Sequence, residues 1–129
     1  MNKLFKVALI IEAIFGIGFV IAPGTMLGPL GVTLNAIATS FVRLFGSAVI
    51  SFSILLWFAL KSDKSEFKMG VIYSMFAYFL VSTVLLAIAQ LTGQMNALGW
   101  IVIGIHLVLL VWFGYFLIKL ISTSTFKTN

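Results

Sequence analysis

Residues 97–118 read ALGWIVIGIHLVLLVWFGYFLI, 22 residues with one ionisable side chain, His106. At 1.5 Å per residue a helix of that length reaches about 33 Å, enough to cross the ~30 Å hydrocarbon core of a bilayer. A barrel strand alternates apolar and polar residues over about ten positions, and this run stays apolar for twice that length. Three further stretches share its character, which places apolar segments at 4–22, 36–60, 69–91 and 97–118. The expected fold class is all-α: a single membrane domain over residues 1–129, built as an antiparallel bundle of four transmembrane helices.

Composition points the same way. Of 129 residues, 62% are apolar and 9% charged, against roughly 45–50% and about 25% in a soluble domain. The chain has no cysteine, which removes disulfides, thiolate nucleophiles, iron–sulfur clusters and thiol-rich zinc sites. One histidine and three acidic residues are too few ligands for a conventional catalytic metal site. No metal or other cofactor is expected, and the reading leans away from an enzyme.

The loops predict orientation. Lys3 and Lys6 precede the first span, Lys61, Lys64 and Lys68 lie between the second and third, and Lys119 and Lys127 follow the fourth. The connections 23–35 and 92–96 carry no lysine or arginine. Positive charge stays on the cytoplasmic side, so both termini are expected there. A net charge of +5 would suggest nucleic acid if the basic residues shared one soluble face with exposed aromatics. Here the lysines flank apolar runs, so the expected partner is membrane lipid, with no nucleic acid.

A basic start followed by an apolar run also describes a secretory signal. Glu12 inside that run, and Pro23 directly after Val20-Ile21-Ala22, favour a retained span. The connection 23–35, PGTMLGPLGVTLN, is apolar but broken by two prolines and three glycines, and is expected to lie at the outer interface as turns. Asn35, Ser65 and Asn96 are placed to cap the helices that follow them. Trp57, Trp100 and Trp112 lie toward span ends, as interfacial aromatics do.

An ionised side chain in mid-membrane costs ~2.5–3.5 kcal/mol on insertion scales, so such residues face the bundle and find partners. Three residues qualify: Glu12, Arg43 and His106. Glu12 is flanked at four-residue spacing by Ala8 and Gly16, a stripe of small residues along which another helix can approach closely. It either holds helices together or exchanges protons or binds a cationic ligand. Arg43 stays charged in any environment and must pair with an acid, snorkel or bind an anion. Glu12 is the one acid in the layer, and the depth difference of about 10 Å is one that two long side chains nearly close. His106 has bulky apolar helical neighbours, which favours a neutral, hydrogen-bonded core histidine. Ser74, Tyr78 and Ser82 share a face of the third span, where Tyr78 and Ser82 bracket its middle and offer partners to His106.

The punctuation Ala22-Pro23, Leu27-Gly28, Gly31-Val32-Thr33-Leu34-Asn35, Arg43-Leu44-Phe45-Gly46 and Leu56-Trp57-Phe58-Ala59, with Leu91-Thr92-Gly93, Asn96-Ala97-Leu98-Gly99-Trp100 and Gly114-Tyr115-Phe116 in the second half, resembles the small bacterial four-helix membrane proteins loosely grouped with the DoxX-like families. The resemblance implies a bacterial inner-membrane bundle, with Arg43 matching the arginine of the family's second helix, and it implies no agreed reaction. Ile11-Glu12-Ala13-Ile14 is also similar to helix one of the small multidrug-resistance transporters. Against that second resemblance stand a longer chain, Arg43, and a third span without that family's aromatic and glycine-rich signatures.

The expected function is that of an integral inner-membrane protein in which Glu12, Arg43, Tyr78, Ser82 and His106 form a polar layer. That layer stabilises the bundle or binds a small lipophilic ligand, and a homo-oligomer is compatible with either role. The alternatives are a proton-coupled small transporter using Glu12 and a membrane redox component binding a quinone beside His106 and Tyr78.

Overall fold

The proline at position 23 and the glycines after it break the first apolar stretch from the second, and the polar residues around 62–64 and 92–98 break the others. In the computed structural model, which describes the backbone of residues 1–125 and the side chains of 1–122, five helices result: α1 (Asn2–Ile21), α2 (Pro23–Leu27), α3 (Ala36–Lys61), α4 (Ser65–Leu91) and α5 (Gly99–Thr125). A 3-10 turn, Gly28–Leu30, follows α2. Among the described residues no strand is present, and α1, α3, α4 and α5 are each long and apolar enough to cross a membrane. Lys127 lies outside the described residues.

One local reading holds here and two need correction. Asn35 caps α3, its Oδ1 accepting from the Ala38 N–H at 2.8 Å. Ser65 does not cap α4: the cap position is Lys64, whose N–H donates to Ser62 Oγ at 3.1 Å. The stretch 23–35 is not a string of turns. Pro23 stands at the first position of α2, where a missing N–H costs nothing, and Pro29 at the second position of the 3-10 turn.

The long helices pack as two pairs, α1 with α3 and α4 with α5, joined along a thinner seam. The small-residue stripe explains the first pair. Ala8, Glu12 and Gly16 are all buried, and α1 meets α3 backbone to backbone where Gly16 crosses Gly46. A Cβ on Gly16 would stand 2.9 Å from the Ile50 amide nitrogen, and one on Gly46 2.9 Å from the Gly16 carbonyl oxygen. Only glycine permits that approach.

At the end bearing Lys61, Lys64 and Lys68, all four long helices share a packed core that includes Leu4, Phe5, Leu56, Ile72, Met75 and Phe113. The Phe113 ring stacks 6.3 Å from Phe5 and 5.6 Å from Phe79. Partial burial first, and then the nearby charges of Lys119 and Lys68, hold the Met1 amino group's pKa below the ordinary amine value. The start of α1, the start of α4 and the late turns of α5 therefore lie at one end of the bundle. Lys61 Nζ sits 3.9 Å above the Trp57 ring there, a cation–π contact.

The outer surface is apolar on every long helix. Ile14, Phe41, Leu85 and Val111 are each at least 60% exposed. A belt of that size in water is an aggregation hazard.

Candidate functional site

Toward the other end, where the 22–35 and 92–98 connections lie, the two helix pairs diverge and leave a cavity of about 470 Å³. That volume falls within the ~300–1,000 Å³ usual for small-molecule sites. Phe79 and Leu109, both fully or almost fully buried, belong at once to the cavity lining and to the packed core. The walls are otherwise apolar, and four polar side chains face in: Glu12 from α1, Tyr78 and Ser82 from α4, and His106 from α5.

Glu12 is only 3% exposed. Among the described residues it makes no hydrogen bond and no ion pair. No lysine or arginine lines the cavity, and Glu12 is the one carboxyl in its lining. Tyr78 lies within electrostatic reach of Glu12. Its ring packs between Phe52, at 4.8 Å, and Phe79, at 5.0 Å, and its hydroxyl has no hydrogen-bond partner among the described residues. Ser82 donates to the Phe79 carbonyl at 3.3 Å, the back-bonding usual for a hydroxyl on an apolar helix.

His106 Nδ1 lies 2.9 Å from the Val102 carbonyl oxygen. A carbonyl only accepts, so Nδ1 carries the hydrogen and the neutral ring keeps Nε2 as an acceptor. The ring stands edge-on to Phe79, with centroids 5.7 Å apart.

Arg43 does not join this group. It is exposed and absent from the cavity lining, and among the described residues no ion pair links it to Glu12. The crossing of Gly16 with Gly46 explains why. Glu12 is one turn from Gly16 toward the lysine end, while Arg43 is three residues from Gly46 toward the opposite end. The axial separation is thus about 10 Å, as the spans suggested, but Arg43 lies on a face of α3 turned away from Glu12. The expected polar layer is therefore smaller: Glu12, Tyr78, Ser82 and His106 converge on the cavity and Arg43 stays outside. Ser74 is exposed and bonds its own helix at the Gly70 carbonyl.

The roof was not apparent from sequence. Met26, Leu27 and Leu30, from the stretch expected to be open turns, cover the cavity together with Met95. Gly18 makes this possible, since a Cβ there would stand 2.6 Å from Met26 Sδ. Asn96 fastens the roof. Its N–H donates to the Leu30 carbonyl at 2.8 Å and its Nδ2 to the Pro29 carbonyl at 2.8 Å. Its Oδ1 accepts from Leu98 N–H at 2.9 Å, ahead of α5. Gly31, at φ 83°, turns the chain out of the 3-10 segment with a left-handed conformation suited to glycine. A glycine pair spaced like Gly16 and Gly18, followed by a Pro-Gly helix start, was the available signal for a folded lid.

Comparison with protein-family models, curated proteins and solved structures finds no match to this chain. The chemistry of the site therefore stands on its own geometry.

Proposed function

We propose that this chain is a four-span integral membrane protein that binds a small lipophilic molecule in the cavity between its helix pairs. The carrying observation is the cavity of about 470 Å³ into which Glu12, 3% exposed and without a hydrogen-bond partner among the described residues, is directed. The Glu12 oxygens open onto the cavity and bond no neighbouring side chain among the described residues, so a polar layer serving only to hold the bundle together is a poor account of Glu12. A ligand that satisfies the carboxyl is a better one. The lysine distribution supports an arrangement with both ends in the cytoplasm and the roofed cavity in the outer half of the bilayer. The resemblance to DoxX-like proteins implies a bacterial inner membrane.

Proton-coupled transport through Glu12 would also use this carboxyl, but it would require the packed core of Phe5, Phe79 and Phe113 to part. Binding needs no such rearrangement. Arg43, on an exposed face of α3 and about 10 Å from Glu12 along the bundle, is suited to snorkel toward the near interface.

The test is to extract the purified protein with organic solvent and analyse the extract by mass spectrometry beside a Ser82→Trp variant, whose indole would occupy the cavity. The expected result is a small lipophilic compound present at near one per chain in the native protein and absent from the variant. Equal recovery from both would refute a site at this place.

A further inference from the structure

The polar atoms of the cavity can be sorted by what they have left to offer. Glu12 presents carboxyl oxygens with no partner among the described residues. His106 has spent its Nδ1 hydrogen on Val102, which leaves Nε2 as a lone pair. Ser82 has spent its hydroxyl hydrogen on Phe79, which leaves its oxygen as an acceptor. With Glu12 ionised and His106 neutral, the Tyr78 hydroxyl is the one uncommitted donor, and it also accepts. No asparagine, glutamine, tryptophan, lysine or arginine lines the space. A protonated Glu12 would add one donor and still leave its carbonyl oxygen, Nε2 and Ser82 Oγ waiting to accept.

From this imbalance, and resting on the binding function proposed above, we infer that the ligand is a lipophilic molecule whose polar end donates hydrogen bonds, an N–H or O–H head seated at Glu12 and His106. The apolar walls, with Phe15, Phe19 and Phe45 among them, take the body. An anionic head, such as a fatty acid carboxylate, meets repulsion from Glu12 and only Tyr78 as donor. A head that only accepts, such as a quinone carbonyl, finds that same donor and leaves the remaining acceptors unsatisfied, which disfavours binding. An ammonium and a phenol both satisfy the requirement, and only the ammonium adds charge complementarity.

Four probes of matched body separate these cases: para-hexylphenol, its methyl ether, para-hexylbenzylamine, and the trimethylammonium analogue of that amine. Binding is measured to the full chain in lipid nanodiscs, with empty nanodiscs as the blank. The expected order places the phenol and the amine about tenfold or more tighter than the ether and the quaternary ammonium, since a hydrogen bond to a charged group contributes ~1.5–3 kcal/mol. Glu12→Gln, which replaces an acceptor oxygen with an NH2 donor, is expected to erase most of the amine's advantage and to narrow the gap between phenol and ether. Tyr78→Phe, which removes the free donor, is expected to weaken the methyl ether, whose oxygen only accepts, by more than it weakens the phenol and the amine. That variant and the native probe series keep the question answerable if Glu12→Gln fails to fold.

Phenol and ether binding alike, or primary and quaternary ammonium binding alike, would overturn the donor inference. If all four bind equally and Ser82→Trp abolishes them, the cavity is a binding site and only the donor requirement falls. If none binds above the blank, both the donor inference and the binding function fall.

Discussion

Gly46→Ala tests how the α1/α3 pair is built. A Cβ at that position would stand 2.8 Å from Phe19 Cβ, 2.9 Å from the Gly16 carbonyl oxygen and 3.0 Å from the Val20 amide nitrogen, where ordinary contacts begin near 3.4 Å. Two of the three obstacles are backbone, so no rotamer change relieves them and α1 has to retreat by about half an ångström. Overpacking of this kind costs about 1–3 kcal/mol, and alanine returns about 0.5–1 kcal/mol through helix propensity. The expected net loss is about 0.5–2 kcal/mol. Lipid supplies no hydrophobic force to press the helices back together, so the loss is not recovered elsewhere. The assay is reversible unfolding in mixed micelles against increasing SDS fraction. Gly70→Ala and Gly104→Ala serve as controls, because a Cβ at either position meets nothing within 4 Å, and both are expected to be neutral or to gain up to about 1 kcal/mol. Gly16→Ala added to Gly46→Ala is expected to cost less than the two singles together, since the same displacement accommodates both. Gly46→Ala unfolding at the same SDS fraction as Gly104→Ala would refute the close-crossing account.

Three further outcomes follow from the same geometry. Arg43→Leu is expected to change stability by less than about 0.5 kcal/mol and to be additive with Glu12→Gln in SDS unfolding, and an interaction energy above that size would restore the ion pair. Asn96→Ala removes the side-chain bonds to Pro29 and Leu98, so a loss of about 1–2 kcal/mol is expected, with several-fold faster hydrogen exchange at Gly31 and Val32. Gly31→Ala, which forces a side chain onto φ 83°, is expected to cost about 1–2 kcal/mol in thermal unfolding, while Gly24→Ala, with open space around it, is expected to cost less than half of that.

The helices could be read from the chain because helices of this length and apolarity leave long unbroken apolar runs in the sequence. Helix boundaries fall within four residues of the expected apolar runs except at the end of α5, which continues to Thr125, and Asn35 caps as its side chain dictates. The burial of Glu12 was also readable, since Ala8 and Gly16 mark the face that meets α3. Axial depth follows from counting residues, and the separation of Glu12 from Arg43 along the bundle came out as counted. Rotation about α3 did not, because it is set by the single crossing at Gly16 and Gly46, which a pattern of small residues announces without naming the partner. The roof was hidden for a related reason: apolar residues between prolines look like turns until a glycine on another helix, Gly18, makes room for Met26. Asn96 resembled Asn35 in its setting, Asn-Ala before an apolar run, yet its main bonds go to Pro29 and Leu30, distant in sequence.

The lopsided interior, solid at the lysine end and hollow at the other, has a consequence for supply. Under the binding function proposed above, a guest held in that cavity would sit at the depth of one leaflet and would be drawn from the lipids of that leaflet. Compounds that flip slowly across the bilayer would then fill the protein when delivered to one face of a vesicle and leave it empty when delivered to the other.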